Sequence, residues 1–221
     1  MPRNKLPRKS THIDMTAMCD VAFLLLTFFM LATKFKPDEP VIVKTPRSIS
    51  AFPQPENSVL LTIDKTGKVF FSFDNTAAKK EMIKGMDEEK GLGLSEQAKL
   101  NFINGKTVGH PFGALETALT WDGSEGEISY PGIPNDTKSF AAENNELVFW
   151  VKSAMLWTQS IGQEVPRICI KADSQTPYPK IRAVITALTK NRINRINLLT
   201  SAQAIPPGTA AYEEAMAAAE K

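Results

Sequence analysis

The sequence predicts an α+β fold class, with a single N-terminal transmembrane helix followed by a folded α+β domain. Three observations predict it: one long apolar run near the start, two β-rich runs around a tight turn, and a final strand–helix–strand pattern. The chain has 221 residues and a formal charge of +2, which suits one domain with an appendage. The near-neutral charge argues against nucleic acid as a partner, because nucleic-acid-binding domains are usually strongly basic.

The apolar run is the first of these elements. From Val21 to Ala32 the only polar side chain is Thr27, and a membrane-spanning helix needs about 20 residues. We therefore place a transmembrane helix at residues 13–35. A cleaved signal peptide and a buried helix of a soluble protein are the alternatives. The first lacks a following small-x-small cleavage site, and the second should carry one apolar stripe, whereas this run is apolar all round.

The flanks of this helix predict its orientation. The leading tail, residues 1–12, carries Arg3, Lys5, Arg8 and Lys9 and no acidic residue. Basic residues favour the cytoplasmic side, and a long domain that follows the helix can be translocated whatever its charge. We expect a cytoplasmic basic tail, one crossing, and the remainder of the chain on the other side of the membrane.

Asp20 is the unusual residue of the helix. A carboxylate in mid-membrane raises the free energy of insertion by roughly 2.5–3.5 kcal/mol. The apolar residues of the helix lower it by only slightly more, roughly 4 kcal/mol. At about 100° per residue, Thr16 lies about 40° and Thr27 about 20° from Asp20, which gives one polar face. Apolar surroundings favour the neutral carboxyl, so such a residue is a candidate proton or ion site. A contact between helices and a shallow position near the headgroups are the alternatives.

The middle of the chain predicts the first half of the folded domain. Residues 36–57 are Pro-rich and predict an extended linker, with a short strand at 41–44. Two β-rich runs around residues 65–67 predict a hairpin. Polar helices are expected at 76–90 and 95–105, loops at 106–142, and then a helix whose Phe149, Trp150 and Trp157 enter the core.

The C-terminal third predicts a strand, an amphipathic helix and a second strand. Ile181, Val184, Ile185 and Leu188 have helical spacing and should form the buried face of the helix. The folded domain is expected to span residues 58–205. Residues 206–221 form a C-terminal tail to which we assign no role.

The sequence carries no pattern typical of an enzyme, so we predict a protein that is not an enzyme and has no cofactor or metal. His110 stands alone beside Pro111 and is expected in a surface loop, and Cys169 is expected in the core. An acidic cluster could bind a cation, although a solvated loop is the more common role of such a cluster. Its members are Asp122, Glu125 and Glu127.

The segment "IDMTAMCDVAFLLLTFFMLA" resembles the N-terminal segment of the ExbD/TolR family. Asp20 takes the place of the proton-carrying aspartate of that family, Val21 matches the residue after it, and Thr16 matches the preceding Thr. The departures are Asp14, Ala17 and Cys19, where the family usually has Asn, Pro and an aliphatic residue.

The segment "IKADSQTPYPKIRAVITALTKNRINRINLLT" is similar to the C-terminal part of the same family. Residues from about 74 to 150 do not match the family pattern and are interpreted as an insertion. We expect this insertion to adapt the domain to its partner and to be removable without unfolding the rest.

The resemblance implies a proton-channelling subunit of an inner-membrane motor, which couples the proton motive force to energy transduction across the envelope. Asp20 would be the proton carrier, with Thr16 and Thr27 supporting it on the same face. The implied partners are an ExbB/TolQ-like ring protein, a TonB-like force-receiving protein and a second copy of the chain.

The implied location is the bacterial inner membrane, crossed once, with a cytoplasmic N-terminus and a periplasmic α+β domain. A TolR-like subunit for envelope integrity and a membrane-tethered periplasmic binding module with a structural Asp20 are the alternatives.

Overall fold

A computed structural model describes residues 15–32, 41–49, 54–105, 107–121, 130–136, 145–204 and 208–209. The chain divides into two compact units, Met1–Lys36 and Pro37–Lys221, and each is described by itself. Several predicted features lie outside the described residues: the basic tail 1–12, the two ends of the transmembrane helix, the acidic cluster at 122–127 and most of the tail 206–221.

The described residues of the first unit form one helix, α1 (Met15–Ala32), of 18 residues. None of its residues is buried, whereas the core helix of a soluble domain is mostly buried. Within the part of the chain that the structure describes, it is the one helix long and apolar enough to cross a membrane.

The second unit is mixed α+β, which confirms the predicted fold class. Its strands are β1 (Arg47–Ser48), β2 (Ser58–Ile63), β3 (Val69–Phe73), β4 (Arg167–Ala172), β5 (Ile196–Leu198) and β6 (Ser201–Ala202). Its helices are α2 (Thr76–Lys90), α3 (Glu96–Ile103), α4 (Leu115–Thr120), α5 (Glu146–Ser160) and α6 (Tyr178–Lys190). The hairpin, the helices at 76–90 and 146–160, and the strand–helix–strand unit are where the sequence predicts them.

A four-stranded sheet in the order β3-β2-β4-β5 organises this unit. The strands β2 and β3 are antiparallel, whereas β4 runs parallel to both β2 and β5, so α6 is the crossover between β4 and β5. Asp64 shapes the β2–β3 turn, since its Oδ1 accepts hydrogen bonds from the backbone N–H groups of Thr66 (2.8 Å) and Lys68 (2.9 Å). Gly67 completes the turn at φ 86°, a conformation that glycine adopts without steric cost.

One face of the sheet forms the core with the helices. Alternate residues of β2, β3 and β4 join buried side chains of α2, α3, α5 and α6 in a single hydrophobic cluster. Trp150 is fully buried within it. Its ring lies 5.2 Å from that of Phe71 and 5.7 Å from those of Phe102 and Phe112, measured between centroids. Aromatic rings at these separations add to the stabilisation from burial alone.

The helices between residues 74 and 150 belong to this same core. Met82, Ile83 and Met86 of α2 are fully buried. α2 approaches α5 closely at Gly85, where an added Cβ would lie 2.0 Å from Cζ2 of Trp157. The segment expected to be a removable insertion therefore shares the hydrophobic core with the strands on either side of it.

The predicted strand at 41–44 is wrong. The backbone there bonds to the loop after β4: Lys44 N–H donates to Asp173 Oδ2 (3.0 Å), and Ser174 N–H donates to the carbonyl of Lys44 (2.8 Å). The strand comes later, because β1 pairs in parallel with β6, with Arg47 opposite Ser201. Part of the stretch expected to be an extended linker is thus hydrogen-bonded to the folded unit.

The segment expected to be loops, 106–142, contains a short helix. A 3-10 turn (Phe112–Ala114) leads into α4, which buries Leu115 and Leu119. His110 is also not the surface residue predicted: it is 7% exposed, and its ring lies 5.1 Å from that of Tyr130. The signal was weak because α4 has only six residues, too few to show a clear helical period.

Candidate functional site

The candidate site is the polar face of α1. At a rise of about 1.5 Å per residue, a helix of this length spans about 27 Å, close to the thickness of a bilayer core. Asp20 lies about 7.5 Å from the N-terminal end of the helix, so it is well away from the midpoint. An off-centre carboxylate is less costly to insert than a central one.

Asp20 is exposed on the helix surface. Helix geometry places Thr16 one turn before it and Thr27 two turns after it, all on one side. The structure thus puts the three predicted residues on one face, and it gives Asp20 no hydrogen-bond or ion-pair partner among the described residues.

Thr27 is less exposed than its neighbours, and its hydroxyl bonds to its own helix. It is half-buried, and its Oγ1 lies 3.0 Å from the carbonyl oxygens of both Phe23 and Leu24. The hydroxyl proton is therefore used within α1, and the side chain offers a partner only the lone pairs of its oxygen. Such bonding depends on the rotamer of Thr27, which the sequence does not determine.

The second unit contains no comparable chemical site among its described residues. No group of three or more His, Cys, Asp or Glu side chains there could hold a metal ion. Cys169 is buried in β4 as predicted, and burial raises the pKa of its thiol above the ordinary value. A raised thiol pKa leaves little of the nucleophilic thiolate at neutral pH.

Comparison with known protein families identifies the family of this chain. The family model for the biopolymer transport protein ExbD/TolR matches residues 7–203, which is most of the chain. The chain belongs to the ExbD/TolR family. The match runs from the apolar helix to β6 and includes residues 74–150. Neither the curated proteins nor the solved structures give a significant match.

Family membership sets the general role of the protein. ExbD/TolR proteins are biopolymer-transport and energy-transduction subunits, are not enzymes, and work in membrane complexes with ExbB/TolQ-type partners. Among the described residues one helix, α1, is long and apolar enough to cross a membrane, and this helix and the family together suggest a single-pass membrane protein.

The sequence alone identified Asp20 because a lone carboxylate in an apolar run is a conspicuous signal. Thr16 and Thr27 followed from the helical period. The roles of all three residues remain predictions.

Proposed function

We propose that this ExbD/TolR protein is the proton-channelling subunit of an inner-membrane motor. The motor couples the proton motive force to energy transduction across the envelope, as in ExbB–ExbD–TonB-like transport at the outer membrane. The observation that carries the proposal is Asp20, an exposed carboxylate on an apolar helix with no partner of its own among the described residues.

In this proposal Asp20 alternates between two protonation states. Facing apolar surroundings the carboxyl is neutral, and facing polar groups of an ExbB/TolQ-like ring it ionises. One charge moved through the membrane potential is worth about 2.3 kcal/mol per 100 mV, enough to bias the helix between two arrangements. The folded unit, on the periplasmic side, would pass the resulting movement to a TonB-like protein.

A charge-neutral variant at matched expression in cells tests the proposal. Asp20→Asn keeps the size and hydrogen-bonding capacity of the side chain but cannot ionise. We expect it to enter the membrane, dimerise and co-purify with the ring protein, yet abolish transport across the outer membrane. Asp20→Glu should keep partial activity because it still titrates. Cys19→Ala, one residue away on another side of α1, is the matched control and should retain full activity.

The outcomes separate the candidate functions. Full activity of Asp20→Asn would mean that the carboxylate is only a contact, which favours the membrane-tethered binding module. If Asp20→Asn impairs envelope integrity but leaves transport intact, a TolR-like subunit is favoured. Failure of Asp20→Asn to co-purify with any ring protein would also contradict the proposal, because the defect would then be one of assembly.

A further inference from the structure

The folded unit carries a groove whose lining residues all belong to that unit. It lies between the end of α2, one side of α5, and the connection from α6 to β5, and it has a volume of about 560 Å³. A second cavity of about 660 Å³ continues it toward the first residues of β4 and β5. Met155, Val165, Arg192 and Ile193 line both cavities, so the two adjoin, and we treat them together as one groove.

The lining of the groove includes apolar side chains that are open to solvent. Leu156 is 62% exposed and Val165 is 41% exposed, although both are aliphatic and lie beside the half-buried Met155. Exposed aliphatic residues scattered singly need no explanation, but a contiguous concave set with a polar rim marks an interaction site.

The rim of the groove is basic. Lys90, Lys152 and Arg192 border the first cavity, and Arg167 and Arg195 join Arg192 around the second. The acidic residues lining the two cavities are Glu89 and Glu164. Among the described residues, the salt bridges of Lys99 with Asp87 and Glu96 use none of these five cations, and Nζ of Lys90 lies 4.5 Å from the centroid of the Phe149 ring.

Arg192 occupies a backbone position that favours glycine. Its φ is 64°, and the turn is fixed by hydrogen bonds from Arg192 N–H to Thr189 (3.0 Å) and from Ile193 N–H to Leu188 (3.1 Å). A non-glycine residue in this region is strained by roughly 1–2 kcal/mol. An arginine here presents its charge to the groove at a cost in backbone strain that glycine would avoid.

We propose that this groove binds an acidic, amphipathic segment of a partner protein, with apolar side chains on Leu156 and Val165 and carboxylates against the arginines. The concave floor favours a peptide over a membrane surface, because a plane of anionic headgroups could meet the rim cations but could not fill the groove behind them. The proposal goes beyond proton coupling by α1 and does not depend on the protonation of Asp20.

Photo-crosslinking identifies the occupant. A benzoylphenylalanine replaces Leu156 in the full chain in cells, and the crosslinked segment is read by mass spectrometry. The matched control replaces Leu100, which is 51% exposed and lies outside the groove. We expect Leu156, and not Leu100, to crosslink to a segment rich in Asp or Glu with interspersed apolar residues.

Binding of that segment, made as a synthetic peptide, then tests the chemistry. The full chain is held in nanodiscs of uncharged lipid. Arg192→Gly relieves the backbone strain and so should fold normally, and combined with Lys152→Glu it should weaken binding about tenfold or more. Lys65→Glu, at the opposite end of the sheet, should leave the affinity unchanged. A peptide with one Glu changed to Lys should recover affinity for the Lys152→Glu variant.

Four results would overturn the proposal. Three come from the crosslinking experiment: a crosslinked segment without acidic residues, crosslinks from Leu156 only to lipid or to a second copy of the chain, and no crosslink at Leu156. The fourth comes from the binding experiment: a peptide affinity that the charge changes do not alter.

Discussion

At the scale of single residues, Asp87 connects α2 to α3. Its Oδ1 accepts a hydrogen bond from the Leu94 backbone N–H (3.1 Å), and its Oδ2 lies 3.0 Å from Nζ of Lys99. The hydrogen bond from Leu94, together with the hydrogen bond and charge of Lys99, holds the pKa of the Asp87 carboxyl below its ordinary value. A depressed pKa means that the folded state favours the ionised form, so ionisation of Asp87 stabilises the fold.

Asp87→Asn should lower the free energy of unfolding at neutral pH by about 1 kcal/mol, because a charge-assisted contact becomes a neutral one. The difference in the free energy of unfolding between the wild type and Asp87→Asn is complete above the pKa of the unfolded state, about 3.9. This difference is lost as the pH falls through the lower pKa of the folded state. Urea unfolding followed by tryptophan fluorescence measures it, since Trp121, Trp150 and Trp157 all belong to the second unit.

Glu96→Gln is the control, because Glu96 contacts the same lysine from a position that is 86% exposed, where ion pairs contribute little. It should change the free energy of unfolding only slightly at any pH. A loss for Asp87→Asn of the same size at neutral and acid pH would contradict the prediction.

At the scale of elements, α6 shows how much of the buried face of a helix the spacing of its apolar residues predicts. Spacing alone places Ile181, Val184, Ile185 and Leu188 on one buried face. The structure buries Val184 and Leu188 almost completely, but leaves Ile181 and Ile185 half-buried at the edge of the core. A helical period identifies the centre of an apolar face, whereas its width depends on which elements pack against it.

Leu188→Ala should therefore cost about 2–5 kcal/mol, the range for truncating a fully buried aliphatic side chain. Ile185→Ala removes the same number of carbon atoms from a half-exposed position, and its cost should be clearly smaller. Urea unfolding of the two variants under one set of conditions makes the comparison. Equal losses would show that Ile185 is as deeply packed as Leu188.

The elements that sequence predicted and those it missed differ in what stabilises them. The hairpin, α2, α5 and the strand–helix–strand unit have local signals in turn residues and in apolar periods. The two-residue strands β1 and β6 have none, because each exists through pairing with a segment more than 150 residues away. The strand predicted at 41–44 failed for the related reason that its β-branched residues meet a loop instead of a strand edge.

At the scale of the whole molecule, residues 74–150 are where the packing in the structure and the expectation from the sequence differ. Their mismatch to the family pattern predicted an elaboration that could be removed with the rest still folded. In the structure, Met82, Phe102 and Trp150 from this segment share one cluster with Leu61 of β2 and Ile170 of β4. Tertiary packing decides which helices cover a sheet. A mismatch to a family pattern gives no information about that packing.

The folded unit should therefore be separable from α1 but not from this segment. A fragment from Pro37 to Lys221 retains the whole cluster and should unfold in urea as one cooperative transition. The same fragment with residues 76–142 replaced by a short Gly/Ser linker leaves the core face of the sheet uncovered by α2 and α3. It should lose the cooperative transition, because the apolar burial that α2, α3 and α4 add to the core no longer offsets chain entropy. Circular dichroism and tryptophan fluorescence across a urea titration measure both fragments. A cooperative transition in the shortened fragment, even one with a smaller dependence on urea, would show that the sheet and α6 fold alone and that 74–150 is an addition after all.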